Sequence, residues 1–216
     1  MPGLYLLLFL CLSQLALGQQ QFSLQIPTTH PRLWWTPERL QAARSWYAAN
    51  PFTPAADDYV GNAFVYLMTG DASRARTAIN WAMGVTIDTA GTSSNDARWH
   101  GENAILVFDW AYAQFTAAER ADFIQRWNGY LDALRTKSWG GLGMPQNNYF
   151  WGYLRNELLW GITSYHENSM ASVFLDHSLN ARFQGAFLPN ASGCGRGGIP
   201  QEGTQYGRYL LGYSVV

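Results

Sequence analysis

The sequence predicts an all-α protein: an incomplete (α/α) toroid of antiparallel helical hairpins. Helix-start signals recur along the chain, and each is followed by apolar residues at helical spacing. The turns between these segments are short and contain glycine or capping residues. Residues 86 and 87 are the only candidate for a strand, so the helices are expected to cover one another in layers.

Residues 1–18 have the pattern of a secretory signal peptide. A short apolar run at residues 4–10 is followed by small residues at 16–18 and then by glutamines. The run is too short to span a bilayer comfortably. A buried N-terminal helix is the alternative. We expect a secreted protein, extracellular or periplasmic, whose toroid domain comprises residues 19–216.

Local signals place the helices of that domain. Thr36-Pro37 and Thr53-Pro54 each predict a helix start, with a cap before a proline. Gly70 is expected to end the second helix in the left-handed conformation, and Asp71 to cap the third. Later helices are expected over residues 100–115, 117–137 (opened by a Thr116/Glu119 capping box), 148–165 and 169–183, followed by a glycine-rich loop at 189–203 and a last helix from Thr204. The pattern is still helical at Val216, which predicts truncation of the toroid.

Composition limits the function classes. Aromatic residues make up 15% of the chain and charged residues 13%, so aromatic side chains are available for a core and for a sugar-binding cleft. A net charge of −1 argues against a nucleic-acid partner. After the signal peptide there is no apolar segment long enough to span a membrane. Cys194 is then the single cysteine, and we expect no metal and no cofactor.

One helix carries a candidate anion-binding face. Asn148, Gly152 and Arg155 fall on one side of an otherwise apolar helix. An amide and a guanidinium separated by a gap can hold a carboxylate. The alternative is that one of the two adjacent asparagines caps the helix, while Arg155 pairs with Glu102 or Glu157.

A second candidate follows the glycine-rich loop. Tyr206 is expected in the first turn of the last helix. A phenol near positive charge and a helix N-terminus has its anion favoured, which suits proton transfer. In the alternative interpretation Tyr206 packs like other tyrosines and Glu202 caps the helix.

These segments together resemble the N-terminal α/α-toroid domain of the heparinase II/III-like and alginate lyase polysaccharide lyases. The resemblance rests on short motifs in the family's order: His30-Pro31-Arg32-Leu33 with Thr36-Pro37-Glu38, Tyr66-Leu67-Met68-Thr69-Gly70-Asp71, Phe108-Asp109-Trp110, Asn147-Asn148-Tyr149 and Glu202-Gly203-Thr204-Gln205-Tyr206.

The resemblance implies β-elimination at a uronate in an acidic polysaccharide or oligosaccharide. It makes Asn148 the residue that neutralises the C5 carboxylate, and Tyr206 the base, the acid or both. Many members have a histidine where this chain has Tyr149, so the departure favours syn elimination by one tyrosine. Further substrate contacts are expected from Tyr149, Trp151, Arg155, His100, Glu102 and Glu202.

Other polar residues are expected to be structural. Asp109, inside an apolar helix, is expected to be hydrogen-bonded. His166-Glu167-Asn168 is expected to be a solvated turn, and His177 is expected at the surface. His100 and Glu102 are as consistent with a core histidine and a helix-start acid as with a cleft.

Two other functions remain open from the sequence. A glycoside hydrolase would need paired carboxylates, here Glu102 with Glu202 or Asp109. A non-catalytic glycan-binding protein would use exposed aromatic residues, for which the candidates are Trp99, Trp139 and Trp151.

Overall fold

The computed structural model describes residues 23–194 and 196–197, and all regular secondary structure in this part of the chain is helical. The expected all-α class is therefore confirmed. The α-helices are α1 (Pro37–Ala49), α2 (Tyr59–Thr69), α3 (Ala72–Gly84), α4 (Glu102–Trp110), α5 (Ala117–Arg135), α6 (Asn148–Thr163), α7 (Ala171–Asp176) and α8 (Leu188–Ser192). π-Helical segments at Ala97–Gly101 and His177–Phe187 precede α4 and α8, and a 3₁₀ turn at Tyr112–Gln114 follows α4.

Several capping predictions are confirmed. The Thr36 side chain accepts a hydrogen bond from the backbone N–H of Arg39 at the start of α1. Gly70 ends α2 with φ of 78°, a left-handed conformation that glycine adopts without steric cost. The Thr116/Glu119 capping box opens α5 with both reciprocal hydrogen bonds present.

Three predicted segments have boundaries that differ from the prediction. Helix α2 starts at Tyr59 instead of near Pro54, because the Asp58 carboxylate caps it by accepting the N–H of Gly61 at 2.8 Å. The helix expected over residues 100–115 begins earlier, in the π-helical turn, and α4 ends at Trp110. The loop expected from residue 189 also begins later, because the helical backbone of the π-helix continues through α8 to Ser192.

Much of the aromatic content lies in the core between α4, α5 and α6. Phe108 on α4 is fully buried and stacks on Phe123 of α5, with ring centroids 4.7 Å apart. Trp127 stacks on the other side of Phe123 at 4.2 Å, and Trp160 of α6 lies 5.4 Å from Phe108. These contacts hold α6 against α4, which positions the candidate site.

Asp109 anchors the segment that precedes α1. Its carboxylate is fully buried, lies 2.6 Å from Nδ1 of His30, and accepts the backbone N–H groups of Arg32 and Leu33 at 2.9–3.0 Å. The Arg32 guanidinium in turn donates twice to Glu167, each time at 2.6 Å. The structural role expected for Asp109 is confirmed. The solvated turn expected at residues 166–168 is confirmed for His166 and Glu167, which are exposed, and is wrong for Asn168, which is 6% exposed.

A second buried charge cluster joins α6 to the π-helix after α7. Glu157 is fully buried and lies 2.7 Å from Nδ1 of His177 and 3.2 Å from Nε of Arg182. Arg182 also donates to the carbonyl of Gly140 at 2.9 Å. The surface position expected for His177 is therefore wrong, because its side chain is only 14% exposed and is held by Glu157.

No helix in residues 23–194 combines the length and the apolar character that a membrane span requires. The expected signal peptide and the segment that carries Glu202, Thr204 and Tyr206 lie outside the described residues.

Candidate functional site

The first turn of α6 places the candidate asparagine. Asn147 is the capping residue, and its side-chain oxygen accepts the N–H of Tyr149 at 2.8 Å. Asn148 follows as the first residue of the helix and is 4% exposed. Of the two adjacent asparagines, Asn147 is therefore the one that caps α6. Asn148 lies beside it at the helix N-terminus.

The gap expected at Gly152 is filled by Arg98 from the π-helical turn. A Cβ atom on Gly152 would lie 2.5 Å from Cγ of Arg98, so only glycine admits this side chain. The Arg98 guanidinium lies over the Tyr149 ring, 4.4 Å from its centroid, in a cation–π contact. The Tyr149 hydroxyl donates a hydrogen bond to Oδ1 of Asn95 at 2.9 Å. We call Asn95, Arg98 and Tyr149 the Arg98 cluster.

Arg98 retains binding capacity for an anion. Within the described residues its guanidinium contacts no carboxylate, and its side-chain hydrogen bond is a long one, 3.4 Å to Oδ1 of Asn95. Its Nε atom is buried and has no hydrogen-bond partner there. A partly buried guanidinium with vacant donors favours a carboxylate or a similar anion.

Arg155 is paired with a carboxylate. It forms an ion pair with Glu102 of α4, and the two side chains are 18% and 21% exposed. The alternative pairing proposed from sequence is therefore the one that forms. Arg155 and Glu102 hold α6 against α4, so the cationic group beside Tyr149 is Arg98.

Close backbone approach fixes the π-helical turn against α6. Asn156 donates through Nδ2 to the carbonyls of Ala97 and Gly152 at 3.0 and 2.8 Å. A Cβ atom on Gly101 would lie 2.1 Å from Oδ1 of Asn156. Single π-helical turns are frequent at functional sites, and this one positions Arg98.

The loop before the π-helical turn is also tied to α6. The Tyr153 hydroxyl accepts the backbone N–H of Ser94 at 2.7 Å. Burial raises the pKa of Tyr153, more than the Ser94 hydrogen bond lowers it, so the phenol is held in its neutral form. Lys137 secures the loop from the other side by donating to the carbonyl of Gly91 at 2.6 Å.

The remaining residues predicted from the sequence lie in different places. His100 is exposed and lines a cavity beside Trp81. Trp151 is 1% exposed and packs edge to face on Phe187 with ring centroids 4.5 Å apart, so it belongs to the core, which corrects its expected role in substrate contact. Trp99 and Trp139 are 60% and 46% exposed.

The carboxylate pairs considered for hydrolysis are engaged elsewhere. Asp109 is fully buried under backbone N–H donors, and Glu102 is paired with Arg155. Glu202 and Tyr206 lie outside the described residues, so the encounter of Asn148 with Tyr206 stays a prediction. Among residues 23–194, no group of three or more His, Cys, Asp or Glu side chains could hold a metal ion.

Sequence reasoning missed Arg98 as the arginine of the site. The available signal was its position in the Arg98-Trp99-His100 segment, directly before a buried helix. Its contact with Gly152 joins residues far apart in the chain, and no local pattern reports such a contact.

Comparisons with protein-family models, with curated proteins and with solved structures give no match to this chain. The function is therefore argued from the site and from the motif resemblance.

Proposed function

We propose that this protein is a secreted polysaccharide lyase that cleaves a uronate-containing glycan by β-elimination, with its hairpins arranged as a partial (α/α) toroid. The observation that carries the proposal is the Arg98 cluster. Arg98 has no carboxylate partner among the described residues and lies over Tyr149, the residue next to Asn148. The motif resemblance supplies the reaction class.

The chemistry requires neutralisation of the C5 carboxylate. A carboxylate resists loss of the adjacent C5 proton, because the resulting carbanion adds charge next to an existing negative charge. Arg98 supplies a positive charge, and the motif resemblance assigns to Asn148 the role of amide donor. Together they spread the charge that develops in the transition state.

Tyr206 completes the proposed reaction. Its deprotonated oxygen takes the C5 proton, a double bond forms between C4 and C5, and the bond from C4 to O4 breaks. The same phenol then returns the proton to O4 of the leaving sugar. Tyr149 stands where many members of the similar family have a histidine, so a single tyrosine acting on one face of the ring fits this chain.

The second candidate is a glycan-binding protein without catalysis. The strong exposure of Trp99 and Trp139 favours it, because exposed indoles offer flat apolar faces to sugar rings. A hydrolase is less supported, since Asp109 and Glu102 are committed to structural contacts.

The test is cleavage of uronate polymers by the purified protein and its Arg98→Gln variant. Elimination produces an unsaturated uronate that absorbs ultraviolet light. Losing a charge-assisted hydrogen bond of about 1.5–3 kcal/mol is expected to lower kcat/KM by about 10- to 100-fold. The matched control is Arg135→Gln, which removes a charge from an exposed ion pair with Asp132 and should change nothing.

A methyl-esterified polymer separates charge recognition from general damage. Any residual cleavage of the ester should be insensitive to Arg98→Gln, because the ester offers no carboxylate. New reducing ends without ultraviolet absorbance would indicate a hydrolase, and binding without cleavage would indicate the glycan-binding protein.

A further inference from the structure

A concave surface lies at the C-terminal end of α3. It is a cavity of about 450 Å³, lined by Trp81, Gly84, Asp96 and His100 among others, and we call it the Trp81 cavity. Its volume falls in the range of about 300–1,000 Å³ typical of small-molecule sites. None of the roles proposed above for the Arg98 cluster uses it.

An aromatic ring of fixed orientation forms one wall. Trp81 is partly buried and stacks on Tyr59 of α2, with ring centroids 4.8 Å apart and planes 9° from parallel. Tyr59 therefore covers one face of the indole. The indole meets the cavity with its other face or its edge, which offers an apolar surface without a cost in side-chain ordering.

Hydrogen-bond donors and acceptors surround that ring. Asn80 and His100 are exposed, and Asp96 contributes a carboxylate whose Oδ2 already accepts the backbone N–H of Asp88 at 3.1 Å. Amide, imidazole and carboxylate groups donate to and accept from hydroxyl groups. The negative charge of Asp96 disfavours an acidic ligand, so the lining suits an uncharged polyhydroxylated ring.

We propose that the Trp81 cavity binds an uncharged sugar residue, as a subsite separate from the Arg98 cluster. The proposal rests on the proposed function in taking a glycan as the ligand. Arg98 and His100 belong to the same π-helical turn, and their Cα atoms are at most about 7.6 Å apart, because consecutive Cα atoms are 3.8 Å apart. The same turn therefore connects recognition of an acidic sugar with recognition of a neutral one.

Gly84 allows the cavity to be filled without disturbing existing contacts. It is exposed, is the last residue of α3, and has nothing within 4 Å of the position of a Cβ atom. The Gly84→Phe variant should place its ring in the cavity. Gly129 on α5 is also exposed and equally open, so Gly129→Phe is the matched control. Both changes remove a helical glycine, which does not weaken a helix.

Binding is measured by calorimetry at millimolar concentrations of neutral β-1,4-linked hexasaccharides of glucose, mannose and xylose. We expect at least one to bind and to shift the indole N–H resonance of Trp81, which Trp81→Phe identifies. Gly84→Phe should weaken this binding by at least about tenfold, because a filled cavity excludes the ring. Gly129→Phe should leave it unchanged.

Absence of binding by all three hexasaccharides would overturn the proposal, and so would equal binding by the wild type and Gly84→Phe. A uronate hexasaccharide whose affinity falls in Arg98→Gln and not in Gly84→Phe would support the lyase site alone. The two proposals therefore fail independently.

Discussion

Replacing Asp109 with alanine should strongly destabilise the protein. Its carboxylate is fully buried and accepts hydrogen bonds from the backbone N–H groups of Arg32 and Leu33, and it lies 2.6 Å from Nδ1 of His30. Alanine removes the acceptor and leaves these donors in a site that water does not reach readily. The segment before α1 then loses its main attachment to α4.

The magnitude follows from those donors. A buried donor left without a partner costs about 1–3 kcal/mol, so three of them give about 3–9 kcal/mol by simple addition. Neighbouring effects are not additive, and the segment can move toward solvent. Single substitutions rarely exceed about 4–5 kcal/mol, so we expect a loss of about 4 kcal/mol in the free energy of unfolding.

Urea denaturation followed by circular dichroism measures this loss. Asp122→Ala is the control, because Asp122 is 54% exposed and pairs with Arg126 at the surface, a pair worth less than about 1 kcal/mol. Asp109→Asn keeps one acceptor oxygen and should fall between the two. An Asp109→Ala protein within about 1 kcal/mol of the wild type would refute the anchoring role.

Three further substitutions test separate contacts. Burial raises the pKa of Glu167, but its hydrogen bonds and ion pair with Arg32 outweigh burial and lower that pKa overall. The stability that Glu167 contributes is therefore present above its ordinary pKa and is lost as the pH falls through the lowered pKa of the folded state. The difference in stability between wild type and Glu167→Gln should therefore be largest near neutral pH and should shrink in acid, as followed by denaturation across pH. Tyr153→Phe leaves a buried N–H without its acceptor and should cost about 1–3 kcal/mol in the same assay. Gly101→Ala should cost about 1–3 kcal/mol through overlap with Asn156, and an unchanged thermal midpoint would contradict the close approach described above.

Local signals in the sequence predicted the helix ends well. The cap at Thr36, the left-handed Gly70 and the Thr116/Glu119 box each depend on residues within one turn, so the sequence pattern contains the interaction itself. Asp58 shows the limit of this approach, because an acidic side chain took the capping role that the prediction gave to Thr53.

Contacts between distant residues were not predictable from pattern. Arg32 and Glu167 pair although they are 135 positions apart, and no residue near Glu167 in the sequence indicates this partner. In the same way, Gly152 was interpreted as a gap for substrate, whereas the fold brings the Arg98 side chain into it. Whether a glycine makes room for a ligand or for another side chain depends on packing alone.

The most direct measurement of the central claim is the ultraviolet absorbance of unsaturated uronate, released from a uronate polymer by the wild type, Arg98→Gln and Tyr206→Phe proteins. The account predicts product from the wild type, a reduced rate from Arg98→Gln, and none from Tyr206→Phe with binding retained, because only the proton-transferring oxygen is lost. Equal rates for all three proteins would contradict the account.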